Sequence, residues 1–166
     1  VDAVLFDLDG TLIDSAPDLA GAANDLRLAH GLTPLPFALL RPMVGAGARG
    51  MVGIAFGKKP GDAGYDELRA GYLVRYAERM LQATRVFDEV APVLDTLDDA
   101  GVPWGIVTNK ALHLAEPIVA GLGLAGRAAE WVIPSLRLDE NGVRAATPPW
   151  LSRWGVFAAE RDLVTA

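Results

Sequence analysis

Hydrophobic and polar positions follow two periods along this chain, and the switches between them outline its elements. Residues 1–6, VDAVLF, are short, β-branched and almost wholly apolar, which predicts a strand buried on both faces, as in parallel sheets. From there the period lengthens. Leu19, Ala22, Ala23, Leu26 and Ala29 recur at helical spacing; Asp14, Ser15 and Pro17 supply cap and first-turn chemistry, and Gly31 closes the run. Residues 33–84 show no strand pattern. TPLPFALLRP carries three prolines around a short helix. A glycine-rich stretch follows, with Met51, Ile54 and Ala55 on one helical face. The block ends in an amphipathic helix whose apolar positions are Leu68, Tyr72, Leu73, Tyr76, Met80 and Leu81.

Strand–helix alternation then resumes. Residues 90–100 predict a helix with Val93, Leu94 and Leu97 inward and Gly101 as its stop. VPWGIVTN, 102–109, predicts a second buried strand, and 111–123 a helix that Pro117 either bends or opens. EWVIPS, 130–135, predicts a third strand. This order argues for an α/β fold: a Rossmann-like core with a parallel sheet, residues 1–13 and 85–166, and a small helical domain inserted at 14–84. Beyond Pro134 the pattern decays into prolines, tryptophans and scattered arginines, with a turn at Asn141-Gly142, so the C-terminal third of the core reads as irregular or incomplete.

Composition then removes several functions. With 51% hydrophobic residues in 166 the chain can bury a real core, and a net charge of -6 argues against nucleic acid as a partner. The absence of cysteine excludes disulfides and thiolate metal sites. No apolar stretch approaches the ~18–20 residues of a membrane span, and no signal peptide is visible. The chain starts at Val1 rather than Met, as one trimmed of an initiator segment would. Together these predict a cytoplasmic protein acting on a small molecule, with no membrane or nucleic-acid partner, as a monomer or homodimer.

The candidate chemistry lies at the strand ends, where parallel sheets carry their sites. Asp7 and Asp9 follow the first strand; Thr108, Asn109 and Lys110 follow the second. If those strands are neighbours, the two groups converge. Carboxylates on alternate residues point the same way and can share a hard cation such as Mg²⁺. Gly10 permits a tight turn, the hydroxyls of Thr11 and Thr108 with free backbone N–H groups can hold phosphate oxygens, and Lys110 can neutralise charge building on a phosphoryl group.

The motif Asp7-Leu8-Asp9-Gly10-Thr11 after an apolar strand, GIVTN ending at Thr108-Asn109, and the helical block between them resemble the phosphatase branch of the haloacid dehalogenase superfamily with a small helical cap of the C1 type. FDLDGTLIDSAPDL, ARGM and WGIVTNK look most like phosphoglycolate phosphatases. The resemblance implies a Mg²⁺-dependent phosphomonoester hydrolase acting through an aspartyl-phosphate, on 2-phosphoglycolate or a similar small ester. It implies Asp7 as nucleophile, Asp9 as acid and base, and Mg²⁺ held by Asp7, the Asp9 carbonyl and a later Asp. Thr108 and Asn109 would hold phosphoryl oxygens, with Arg49 and the Gly45–Gly47 loop choosing the substrate. A sugar-phosphate phosphatase or phosphomutase, a catalytically impaired phosphate-binding relative and a phosphoacceptor signalling domain are the alternatives; the helical insertion argues against the last.

Two elements of that family pattern are missing. Lys110 is the last lysine, so no Lys-Pro pair follows it, and no Gly-Asp follows residue 133. Asp162 is the candidate for the later metal ligand, with Asp139 as another. Lys110 standing in for the lost lysine, a divergent tail and a reading-frame change all remain open, the last favoured because the resemblance stops abruptly. His30 and His113 read as surface or helix-end residues, Trp104 as core, and Tyr72 and Tyr76 as the cap's own core.

Overall fold

A computed structural model describes residues 3–128 and the strand at 130–132. Three strands make the central sheet: β1 (Val4–Asp7), β4 (Trp104–Val107) and β5 (Glu130–Val132), ordered β1-β4-β5 and parallel throughout. The two strand ends that carry chemistry are adjacent and in register, with Asp7 opposite Val107. A second, antiparallel pair joins β2 (Ile13–Asp14) to β3 (Arg85–Val86), extended by the Phe87 N–H donating to the Leu12 carbonyl. Every element between β2 and β3 is a helix: α1 (Ala16–Ala29), α2 (Phe37–Leu40), a 3-10 helix (Arg41–Ala46), α3 (Gly47–Phe56) and α4 (Tyr65–Arg79). The chain leaves the core at β2 and returns at β3, so one short ribbon joins the helical block to the sheet.

The core follows from the periodicities. Leu19, Ala22, Ala23 and Leu26 of α1 are buried, and α1 packs on α3 and α4 through Met51, Val52, Ala55, Tyr72 and Tyr76. On α3 the buried set is Met51, Val52 and Ala55; Ile54, placed on that face by its spacing, is exposed. On α5 (Ala91–Asp99) Leu94 is buried and Leu97 packs against the core, while Val93 faces out. Both differences have one cause: a single-turn shift in apolar spacing is ambiguous on short helices, and packing chooses one phase.

The first strand is also less enclosed than its apolar run predicts. Leu5 is exposed and the burial alternates along Val4–Asp7, whereas Trp104, Gly105 and Ile106 of the central β4 are buried. Phe6 meets Trp104 edge-on at 6.1 Å, and the indole N–H donates to Asp98 at 2.8 Å. Trp104 is core, as its sequence context predicts. Pro117 lies inside α6 (Leu112–Gly121), where it removes one helical N–H donor. Among the described residues, no helix is long and apolar enough to cross a membrane.

Candidate active site

Asp7 closes β1, and the chain turns at once. The Leu12 N–H donates to the carbonyls of Asp7 and Leu8, the Ile13 N–H to the Leu8 carbonyl, and the Gly10 N–H to the Ile13 carbonyl. Gly10 sits at φ 82°, which a side chain would strain. This loop buries Leu8 and leaves Asp7 and Asp9, one residue either side of it, facing a cavity of about 490 Å³. Across the sheet Thr108, Asn109 and Lys110 reach the same cavity from the end of β4. Its other wall is helical: Leu19 from α1, Val44, Gly45, Gly47 and Ala48 around the start of α3, and Arg69, Tyr72, Leu73 and Tyr76 from α4. Strand ends and inserted helices therefore enclose one space.

The polar contacts divide unequally between the acids. Asp9 is heavily engaged: the Ser15 hydroxyl donates to it at 2.6 Å, and the Lys110 ammonium donates to both oxygens at 2.9 and 3.0 Å. The lysine side chain is only 7% exposed, and its ammonium lies 4.7 Å from the centroid of the Tyr76 ring. Among the described residues Asp7 accepts one hydrogen bond, from the Leu8 N–H at 2.8 Å, on a single oxygen. Partial burial pushes its carboxyl above the usual carboxylate value; the nearby Asp9 charge adds to this, while the Leu8 N–H and Lys110 oppose it. Thr108 is buried, and its hydroxyl accepts the Lys110 N–H at 3.2 Å.

Several sequence readings change here. Ser15 does not cap α1 with its side chain; Asp14 accepts the Ala16 N–H instead, which releases the Ser15 hydroxyl for Asp9. Arg49 is exposed and stands outside the cavity wall, because α3 turns its Met51–Val52–Ala55 face inward; the arginine on the wall is Arg69. Gly10 and Thr11 shape the turn but do not line the cavity. Asn109 lines it as an exposed residue, and His113, read as a helix-end residue, lines its rim at the start of α6. Tyr72 and Tyr76, read as the cap's core, are buried and stacked at 6.4 Å, and they also form part of the cavity wall. Ser15 and Arg69 gave no signal of their own; only their positions on helices facing the strand ends would have marked them.

Two oxygens remain open for a hard cation. The second Asp7 carboxylate oxygen and the Asp9 carbonyl accept no hydrogen bond among the described residues. Magnesium is commonly held by one or two carboxylates with water and substrate phosphate completing its shell, so this donor set fits the ion. No cluster of three or more acids and histidines exists among the described residues, and Asp162 and Asp139 lie outside them.

A parallel sheet with acids at its carboxyl edge and a helical insertion roofing them defines a Rossmann-like α/β core with a cap. The comparison with known proteins makes this specific: the haloacid dehalogenase-like hydrolase family matches residues 1–139, and the chain belongs to that family. The chain is 42% identical over 132 residues to the N-acetylmuramic acid 6-phosphate phosphatase of Pseudomonas aeruginosa, covering 80% of this chain and 58% of that protein. It is also 42% identical over 127 residues to the phosphoglycolate phosphatase of Xanthomonas campestris, covering 76% and 57%. In fold it is similar to a crystal structure described as a predicted phosphoglycolate phosphatase from Haemophilus somnus, with a TM-score of 0.71 at 22% identity, covering 95% of this chain and 71% of that one. The chain thus spans under three fifths of the curated relatives it matches.

Proposed function

We propose that the protein hydrolyses a small phosphomonoester through a covalent intermediate on Asp7. The observation that carries this reading is the unequal engagement of the two acids: Asp7 faces the cavity with one oxygen free, while Asp9 beside it is held by Ser15 and Lys110. One Asp7 oxygen attacks phosphorus in line with the ester oxygen, forming an acyl phosphate as the P–O ester bond breaks, and the other stays available to a cation. Asp9 delivers a proton to the departing alkoxide, then removes one from the water that attacks the acyl phosphate. Phosphate leaves and Asp7 is restored. Thr108 and Asn109, at the end of the adjacent strand, orient the phosphoryl oxygens. Mg²⁺, which the open oxygens of Asp7 and Asp9 would hold, supplies neutralisation between the carboxylate and the phosphate when bound.

The named activities of the relatives support two substrates. 2-Phosphoglycolate is the leading one; a sugar phosphate such as N-acetylmuramic acid 6-phosphate is the second, favoured by a cavity of about 490 Å³, larger than a two-carbon acid fills. The test is hydrolysis of p-nitrophenyl phosphate with Mg²⁺, beside Asp7→Asn. Turnover in the parent that the variant lacks supports the reading. An active variant refutes the nucleophile, and an inactive parent refutes hydrolysis by this chain in favour of phosphate binding alone.

A further inference from the structure

Two tyrosines of α4 stand one turn apart on the cavity wall, and they are used differently. Tyr72 and Tyr76 are each 1% exposed. The Tyr72 hydroxyl donates to the Leu19 carbonyl of α1 at 3.4 Å. The Tyr76 hydroxyl is buried and has no hydrogen-bond partner among the described residues. A buried phenol ordinarily finds one, because an unmet polar group is costly away from water. What Tyr76 offers the site is therefore the face of its ring. The Lys110 ammonium lies over that face, 4.7 Å from the ring centroid. This is within the reach of about 6 Å over which a cation is drawn to an aromatic quadrupole.

The lysine has few other constraints. Its ammonium donates to the two Asp9 oxygens at 2.9 and 3.0 Å and to no other acceptor among the described residues. An ammonium on a flexible four-carbon stem is strongly hydrated in the open, so such a group ordinarily turns to water. Here it is nearly sealed from water, with the carboxylate and the ring as its neighbours. The ring is itself fixed. It stacks on Tyr72 at 6.4 Å with the planes 5° apart, and Tyr72 is tied to α1 through Leu19. Asp9 in turn accepts the hydroxyl of Ser15, the residue just before α1. The contacts thus run from α1 through both tyrosines to Lys110 and Asp9, and back to the start of α1. They join the inserted helices to the loop after β4 across the cavity.

We propose that Tyr76 is a positioning residue of this site: its ring face, presented by the inserted helix α4, holds the Lys110 ammonium on Asp9 and so keeps that carboxylate in one orientation beside Asp7. The role rests on the reading of Asp9 as proton carrier given above, and the test separates the two. The chain has three lysines, Lys58, Lys59 and Lys110, so lysine labelled with carbon-13 gives three side-chain signals, and Lys110→Met assigns one of them. The Lys110 ε-CH₂ protons should lie upfield of the other two through the ring current of Tyr76. Tyr76→Phe keeps that displacement and Tyr76→Leu removes it. On p-nitrophenyl phosphate with Mg²⁺, Tyr76→Leu should lower kcat about tenfold while KM changes less than about twofold, and Tyr76→Phe should restore kcat. In the Lys110→Met background Tyr76→Leu should cost less than about twofold, because the ring acts through the lysine. A parent spectrum with no displaced lysine signal overturns the proposal without any change at position 76. So does a loss of kcat in Tyr76→Leu that is equally large without Lys110, or one that Tyr76→Phe shares. An inactive parent overturns the hydrolytic reading and this role together; an active parent with any of those results overturns the role alone.

Discussion

Asp18 is the residue whose loss should damage this fold most, and the contacts say by how much. It stands in the first turn of α1 with a fully buried side chain. One of its oxygens accepts three hydrogen bonds: from the Ala83 N–H at 2.9 Å, and from the Thr84 N–H and hydroxyl at 2.8 Å each. Those donors lie just before β3, where the chain returns from the helical block to the sheet. Asp18 therefore ties the outgoing and returning crossings together. Among the described residues its other oxygen has no hydrogen bond and lies 3.7 Å from the Arg79 Nε, which has none either, so that ion pair is the weaker part of the arrangement. Asp18→Ala strands the buried Thr84 N–H and hydroxyl and the more exposed Ala83 N–H. At about 1–1.5 kcal/mol for each lost bond, the cost is about 3–5 kcal/mol, in line with removing one side of a buried charged cluster. Thr84→Val removes only the hydroxyl contact and should cost about 1 kcal/mol. Against a total stability of roughly 5–15 kcal/mol this is a large loss, and it should lower Tm by about 10 °C or more. Urea unfolding of Asp18→Ala, Thr84→Val and Arg79→Met orders them: Asp18→Ala far below the other two. If Asp18→Ala unfolds within about 1 kcal/mol of the parent, or level with Thr84→Val, the ribbon is not held by this carboxylate.

Asp7→Asn should leave the fold as stable as the parent or more so at neutral pH. The carboxyl is raised in the folded state, so the native protein binds the extra proton and stability falls as pH rises from the unfolded carboxylate value through the folded one; an amide removes that penalty, and a Tm below the parent's at pH 7 would contradict it. Asp98 has the opposite sign. The Trp104 indole N–H, then Arg127, hold its carboxyl low, so its contribution is present above the unfolded carboxylate value and lost as pH falls through the lowered one; Trp104→Phe should flatten Tm against pH in the acid range. Lys110→Met should lower kcat on p-nitrophenyl phosphate by at least tenfold with a smaller change in KM, because the lysine holds Asp9 rather than the phosphate-facing Asp7; a change confined to KM would show that it binds substrate instead. Chelation of Mg²⁺ should abolish turnover of the parent, and re-addition should restore it.

Much of this was written in the chain. β1 and β4 could be placed from apolar runs of four to six residues, and the acids and the Thr108–Lys110 group at their ends needed only the parallel-sheet rule to become a site. Adjacency was the conditional step, and the register of Asp7 with Val107 supplies it. What could not be read were facts of packing phase. Arg49 and Arg69 both sit on inserted helices with apolar neighbours, and nothing in their spacing distinguishes them. α3 buries Met51, Val52 and Ala55 and so turns Arg49 to solvent, while α4 turns the stripe that begins at Arg69 to the cleft. Ser15 was equally hidden: a serine before a proline-led helix reads as a cap, and only the fold reveals that Asp14 has taken part of that task.

The position of Lys110 bears on how the site balances charge. A lysine two residues beyond Thr108 could in principle stand in for one that reaches the nucleophile. Its ammonium lies on Asp9 instead, bidentate, beneath the Tyr76 ring and nearly out of contact with water. A single ammonium satisfied on one carboxylate in a partly buried site is expensive to move to another. Asp7 is thus left, among the described residues, with one backbone N–H as its only hydrogen-bond donor and with a carboxyl raised by its surroundings. A phosphate dianion approaching that oxygen meets repulsion that Lys110 is poorly placed to relieve. Among the described residues, a cation on the open oxygens of Asp7 and Asp9 is the neutralising charge that fits this arrangement, and the proposed metal dependence rests on Lys110 being held by Asp9.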